Sequence, residues 1–206
     1  SSGIGLELAR QFAKNGSDLV LVARREDRLN GVASELEKSN GVNVTVIPKD
    51  LSLSGAPREL FDEVKESGVE VDVLVNNAGF GAIGPFNEID EKVLTDMLNV
   101  NLVSLTILTR LFLPGMVQRK NGGILNVGSL AGFQPGPNAA TYYATKAFVL
   151  SFSEALHDEL KNSSVKVTCL CPGPVETEFG QRSGMEDANL FRMGTMDVGT
   201  VAVEGY

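Results

Sequence analysis

The chain has 206 residues, of which 43% are hydrophobic and 21% charged, and a formal net charge of -8 at pH 7. The length suits a single domain with a sizeable core, and the composition is that of a globular protein. The acidic balance argues against a partner with a phosphate backbone, so neither nucleic acid nor an anionic membrane surface is expected.

The chain opens on SSGIGLELARQFAKNG, where Ile4, Leu8, Ala9 and Phe12 recur at helical spacing and the Asn15-Gly16 pair ends the helix. DLVLVA then reads as a short apolar strand. EDRLNGVASELEKS is a helix with Leu29, Val32, Ala33 and Leu36 on one face, and VNVTVIP a strand. GAPRELFDEVKES is a helix, VDVLVNN a strand, and 90–119 a long helical region. GGILNVGS is a strand, AATYYATKAFVLSFSEALHDELKN a helix and VKVTCLC a strand. Strands this rich in Val, Leu and Ile are buried on both faces, so the sheet is parallel with helices on each side. The alternation predicts an α/β protein, a doubly wound Rossmann-type sheet in one domain spanning 1–206. The polar stretch 180–197 is the one segment of loop composition; loops over the carboxyl ends of strands are where such folds bind ligands.

Cys169 and Cys171 share one face of the last strand. They lack the further ligands of a metal site and read as two buried, reduced thiols. His157, the single histidine, falls on the charged side of a helix and reads as a surface residue. Histidine triads and multi-histidine zinc sites are thereby excluded. No signal peptide is visible and no apolar run reaches membrane-spanning length, so a cytoplasmic location without a membrane partner is expected.

Chemistry concentrates in TYYATKAF. Tyr142 and Lys146 are one helical turn apart and share a face. A fixed ammonium favours the phenolate; lowering a tyrosine by about three units needs roughly 4 kcal/mol, within reach of a close charge in a dry site. The product is a general acid/base that works near neutral pH. Tyr143 competes for the role, although adjacent helix positions diverge by about 100°. A Tyr/Lys pair at this spacing is unspecific alone. Ser129, however, ends a predicted strand, where a hydroxyl faces the ligand crevice. Asn101 lies within a helical region that does not favour it.

In these pieces the chain resembles the short-chain dehydrogenase/reductase family. The matching residues are SSGIG at 1–5, NNAG at 76–79, Asn101, Ser129, YYATK at 142–146 and PGPVET at 172–177, in the family's order and near its spacing. The resemblance implies that Tyr142 is the proton donor in reduction and the base in oxidation. Lys146 would lower its pKa and hold the nicotinamide ribose. Ser129 would hydrogen-bond the substrate oxygen, and Asn101 would hold a water linking Lys146 to solvent. Ser2, Gly3, Ile4 and Gly5 would form the end of the cofactor turn. Asp50, with Leu51, would contact adenine. Asn77, Ala78 and Gly79 would admit the adenosine ribose, and Pro172, Gly173, Val175 and Thr177 would line the nicotinamide and its phosphate. The family places a strand and an earlier glycine before SSGIG and further chain after DVGTVAVEGY, so the sequence reads as cut at both ends. Without that strand its sheet neighbours are expected to be unpaired, and the piece to fold poorly alone.

NADP(H) is preferred to NAD(H) on this reading. Ala23 stands where NAD-preferring members carry an aspartate, and Arg24 and Arg25 can pair with a 2′-phosphate. The expected activity is a carbonyl reductase or alcohol dehydrogenase. Epimerases and dehydratases of related fold, and a non-catalytic NADP-binding protein, are the alternatives. Phe80, Phe133, Phe179, Met185 and Phe191 suggest an apolar pocket, with steroid, fatty-acyl, sugar and aryl ketones all open. The family's habit of pairing helices 90–119 and 142–161 implies a dimer or tetramer.

Overall fold

The computed structural model describes residues 2–183 and 194–206. Helices and parallel strands alternate along nearly all of it. Helix α1 (Gly3–Lys14) leads into strand β1 (Leu19–Ala23). Helix α2 (Glu26–Asn40) precedes β2 (Val44–Pro48), and α3 (Ala56–Glu66) precedes β3 (Val73–Asn76). Helices α4 (Glu91–Leu98) and α5 (Leu105–Arg119) are joined through a π-helical turn, Asn99–Ser104. Then follow β4 (Gly122–Val127), α6 (Ala140–Glu159), β5 (Val165–Leu170), α7 (Glu178–Ser183) and α8 (Val198–Gly205).

All the strand pairings are parallel. β1 runs with β2 in register Leu19 to Val44. β4 lies between β3 and β5, with Val73 opposite Gly123 and Gly122 opposite Val165. The strands form two sheets, β1-β2 and β3-β4-β5. Residues of β1 and β3 border one continuous cavity. Successive strand side chains turn to opposite layers, as a two-sided parallel sheet requires. Leu19 and Leu21 pack with Ala9, Ala13 and Leu36, whereas Val20 and Val22 pack with Leu60, Val64 and Leu108. On the second sheet Leu125 and Val127 meet Leu8 and Ala202, and Ile124, Val165 and Val167 meet Met116, Leu156 and Leu160. Buried area of this kind contributes about 25 cal/mol per Å² of apolar surface.

A buried polar chain crosses the second sheet. The Asn76 amide donates to Thr109 Oγ1 at 3.0 Å and to Asn126 Oδ1 at 2.9 Å; Asn126 donates to Ser153 Oγ at 2.9 Å, and Ser153 to the Val149 carbonyl. It ties α5 to α6 through the ends of β3 and β4. An asparagine left unpaired there would cost about 1–3 kcal/mol.

Two expectations need correction and one is met. Cys169 and Cys171 are free thiols on one face, their sulfurs 3.5 Å apart, but only partly buried. They lie at the end of β5, which has no outer neighbour among the described residues. The separation into two sheets, β1-β2 and β3-β4-β5, agrees with the expectation that two sheet neighbours are left unpaired. Finally, the run Glu91–Arg119 forms a single 29-residue stretch that is long and apolar enough to cross a membrane by length and composition. Interleaved Thr, Ser and Asn conceal that length from a count of unbroken apolar residues. A third of its most apolar window is buried within the fold.

Candidate active site

The carboxyl ends of the strands open into a cavity of about 2140 Å³. This exceeds the roughly 300–1,000 Å³ usual for one ligand because it continues between β1 and β3. Of the candidate residues, Ser2, Gly3, Ile4, Gly5, Arg24, Asp50, Leu51, Asn77, Ala78, Gly79, Ser129, Tyr142, Lys146, Pro172, Gly173, Val175 and Thr177 all border it. Asn101 is buried behind its wall and Arg25 lies outside it.

Tyr142 and Lys146 come from successive turns of α6 and are 8% and 7% exposed. The Lys146 ammonium lies 5.9 Å from the centre of the Tyr142 ring and donates to the Val127 carbonyl at 2.8 Å. Burial pulls Lys146 down to about 8. Burial also pushes Tyr142 up to about 12, with the Ser129 side chain opposing it. The expectation that Lys146 draws Tyr142 below its ordinary value is therefore not met: removal from water outweighs the hydrogen bond to Ser129, and the Lys146 ammonium is engaged by the Val127 carbonyl. Tyr142 is thus fully protonated at neutral pH. Ser129 caps the short 3-10 turn Leu130–Phe133, accepting from the Ala131 N–H at 3.1 Å. Tyr143 also borders the cavity, its ring edge-on to that of Tyr142 at 6.1 Å, and packs over Gly136, where an added Cβ would lie 2.2 Å from it.

The π-helical turn presents three polar side chains inward, each holding a different segment of the site. The Asn99 amide donates to the Ser52 carbonyl at 3.0 Å, and Ser104 Oγ to the Leu51 carbonyl at 2.7 Å. Asn101 accepts from the Phe80 N–H at 3.1 Å and donates to the Phe80 carbonyl at 2.9 Å and to Thr145 Oγ1 at 3.1 Å. A Cβ on Gly79 would stand 3.2 Å from Asn101 Oδ1 and 3.7 Å from Lys146 Nζ. Asn101 and Lys146 thus converge on the same glycine. Asn99, Ser104 and Thr145 were not anticipated. A polar residue inside an apolar helical run was the available signal, and only Asn101 was read that way.

The opposite end of the cavity suits a dinucleotide. Gly3 is left-handed at φ 60°, and an added Cβ would press on Thr177 at 3.2 Å. One on Gly5 would meet the Asn77 amide at 2.3 Å, so any larger residue would displace that side chain. The first turn of α1 has no acidic residue and no side-chain cap, leaving its N–H groups for an anion. The Arg24 side chain is 69% exposed and 4.0 Å from Asp50. Burial raises Asp50, but the Ser52 backbone and hydroxyl, together with Arg24, hold it below its ordinary value. Arg25 donates to Ser2 Oγ at 3.3 Å and pairs with Glu178 at 3.2 Å.

Among the aromatic candidates, Phe80 and Phe179 line the cavity, and Phe179 lies 5.5 Å from the Tyr142 ring. Phe133 is 62% exposed outside it. Met185 and Phe191 lie outside the described residues. His157 is exposed, as expected, and its Nδ1 lies 3.1 Å from the Val167 carbonyl.

Residues 1–188 match the short chain dehydrogenase family, and the chain belongs to it. It is 38% identical over 187 residues to the very-long-chain 3-oxoacyl-CoA reductase of Mus musculus, covering 88% of this chain and 59% of that protein. The chain thus spans about three-fifths of this curated relative's length. Among solved structures it is similar to a short-chain dehydrogenase from Sphingobium yanoikuyae in complex with NADPH. The TM-score is 0.90 at 34% identity, covering 98% of this chain and 78% of that one. It is also similar to L-sorbose reductase from Gluconobacter frateurii complexed with NADPH and L-sorbose. There the TM-score is 0.86 at 28% identity, covering 98% of this chain and 84% of that one.

Proposed function

We propose that this chain carries the active site of an NADP(H)-dependent oxidoreductase that interconverts a carbonyl and a secondary alcohol, with Tyr142 as general acid/base. The observation that carries this reading is the buried Tyr142–Lys146 pair at the cavity wall, with Ser129 acting on the same phenol. When bound, the nicotinamide would supply or accept the hydride. In reduction, protonated Tyr142 donates to the carbonyl oxygen, and the Ser129 hydroxyl stabilises charge developing there. Asn101 holds the Phe80 backbone and so sets the wall beside Gly79; Lys146 presents its charge to the ribose. Arg24 and Arg25, with no acidic side chain at Ala23, favour the 2′-phosphate of NADP(H). A relative named as a 3-oxoacyl-CoA reductase, together with apolar Phe80 and Phe179 in the cavity, makes a long-chain 3-oxoacyl thioester the first substrate to test.

Leu98, Val103, Ile107 and Val117 are exposed along α4 to α5, and Phe148 along α6. Apolar faces of that extent on neighbouring helices fit a second copy of the chain, so the assembly proposed is a homodimer or larger.

The test is kcat/KM in the full-length protein with NADPH and a 3-oxoacyl thioester. Tyr142→Phe keeps the ring and its packing, and turnover is expected to fall at least about a hundredfold. NADPH binding survives. Tyr143→Phe is expected to do far less. Retention of activity by Tyr142→Phe would remove Tyr142 as the acid.

A further inference from the structure

Glu178 opens α7 and reaches across the molecule to the start of α2. Its Oε2 lies 3.2 Å from the Arg25 guanidinium, and its Oε1 pairs with Arg28. Arg25 also donates to Ser2 Oγ beside the glycine turn. Three elements distant in sequence thus bring together an anion, two guanidinium groups and a hydroxyl. On either side, Thr177 lies against Gly3, and the Phe179 ring lies against that of Tyr142. Neighbouring residues 178 and 179 therefore touch the cationic cluster and the candidate acid respectively.

We propose that Glu178 is a specificity-determining residue. Its carboxylate occupies the seat of the 2′-phosphate and is displaced when NADP(H), but not NAD(H), binds. The inference rests on the NADP(H) reading above. A guanidinium fork accepts a carboxylate or a phosphate in the same bidentate geometry, so the two anions are exchangeable partners. They are not simultaneous ones, because like charges at this range repel. Arg25 and Glu178 are about a third exposed and Arg28 half exposed. Ion pairs of that exposure are weak, so a dianionic ligand can displace the carboxylate. NADH carries no group that competes for the cluster and leaves it closed.

The test compares wild-type full-length protein with Glu178→Gln, which keeps the shape and removes the charge. Dissociation constants are measured for NADPH and NADH by cofactor fluorescence, and for 2′-AMP and 5′-AMP by calorimetry. NADPH and 2′-AMP are expected to bind about three- to tenfold tighter to the variant, the range set by one or two half-exposed ion pairs. NADH and 5′-AMP are expected to stay within about twofold. A residue that merely tethers α7 to α2 gives instead a loss, or no change, shared by all four ligands, and that result overturns the proposal. Failure of the cofactor reading looks different: wild-type protein then binds NADPH and NADH alike before any substitution is made.

Discussion

At the scale of single residues, Lys146 shows how a functional group opposes the stability of its own fold. Burial lowers it from an ordinary 10.5 to about 8. Between those values the unfolded chain binds the additional proton, so stability rises with pH in that window and the penalty is fully present below about 8. A shift of this size corresponds to roughly 3 kcal/mol, partly offset by the bond to Val127 worth about 1 kcal/mol. Lys146→Met is therefore expected to stabilise the chain by about 1–3 kcal/mol at pH 7 while abolishing activity. Urea denaturation at pH 7 and pH 9.5 reads both parts: the gain should shrink at the higher pH. A destabilised Lys146→Met would show that the ammonium is a net contributor to the fold. Tyr142 works in the opposite direction. Its raised value, about 12, makes the folded state hold a proton longer than the unfolded one, so stability falls as pH climbs from 10 to 12.

At the scale of elements, backbone proximity decides which positions tolerate a side chain. The 3-10 turn Leu130–Phe133 lies against α6 so closely that a Cβ on Gly132 would sit 2.8 Å from the Lys146 carbonyl oxygen. Backbone cannot swing aside as a side chain can. Gly132→Ala is expected to cost about 1–3 kcal/mol and to lower turnover, because the turn that carries Ser129 must shift from Tyr142. Gly31, inside α2, has nothing within 4 Å of an added Cβ. Gly31→Ala is expected to be neutral or to stabilise by up to about 1 kcal/mol through helix propensity alone. Thermal denaturation of the two variants separates these cases; equal shifts would mean the close approach at Gly132 is relieved elsewhere. The π-helical turn belongs to this scale as well. By spacing Asn99, Asn101 and Ser104 around a widened turn, it lets one helix hold the loops at Leu51, Ser52 and Phe80.

At the scale of the whole molecule, the exposed apolar stripe along α4 and α5 sets the prediction. Val103 and Ile107 are 49% and 39% exposed among the described residues. Val103→Glu with Ile107→Glu places two like charges in the proposed contact between copies. Light scattering of full-length protein at micromolar concentration is expected to change from a dimer or larger assembly to a monomer. A wild-type monomer would remove this face as the contact. The buried chain from Thr109 through Asn76 and Asn126 to Ser153 acts at the same scale, joining α5 and α6 across β3 and β4 on one face of the sheet.

The sequence by itself determined the elements, because period-2 and period-3.6 patterns are local and each strand or helix carries its own. It also disclosed Tyr142 with Lys146, since one helical turn of spacing is visible without any fold, and it placed Ser129 at a strand end. Tertiary structure alone decided what those groups experience. That Lys146 binds the Val127 carbonyl and that burial dominates the Tyr142 phenol depend on the packing of α6 over β4. That Glu178 meets Arg25 depends on bringing together residues 153 positions apart. Such pairs leave no mark in either residue's neighbourhood: an arginine at the start of a helix reads as a solvated charge until the fold supplies its partner. The division into two sheets was equally out of reach of periodicity, because a strand's pattern records which faces are buried and not which neighbours complete its hydrogen bonds.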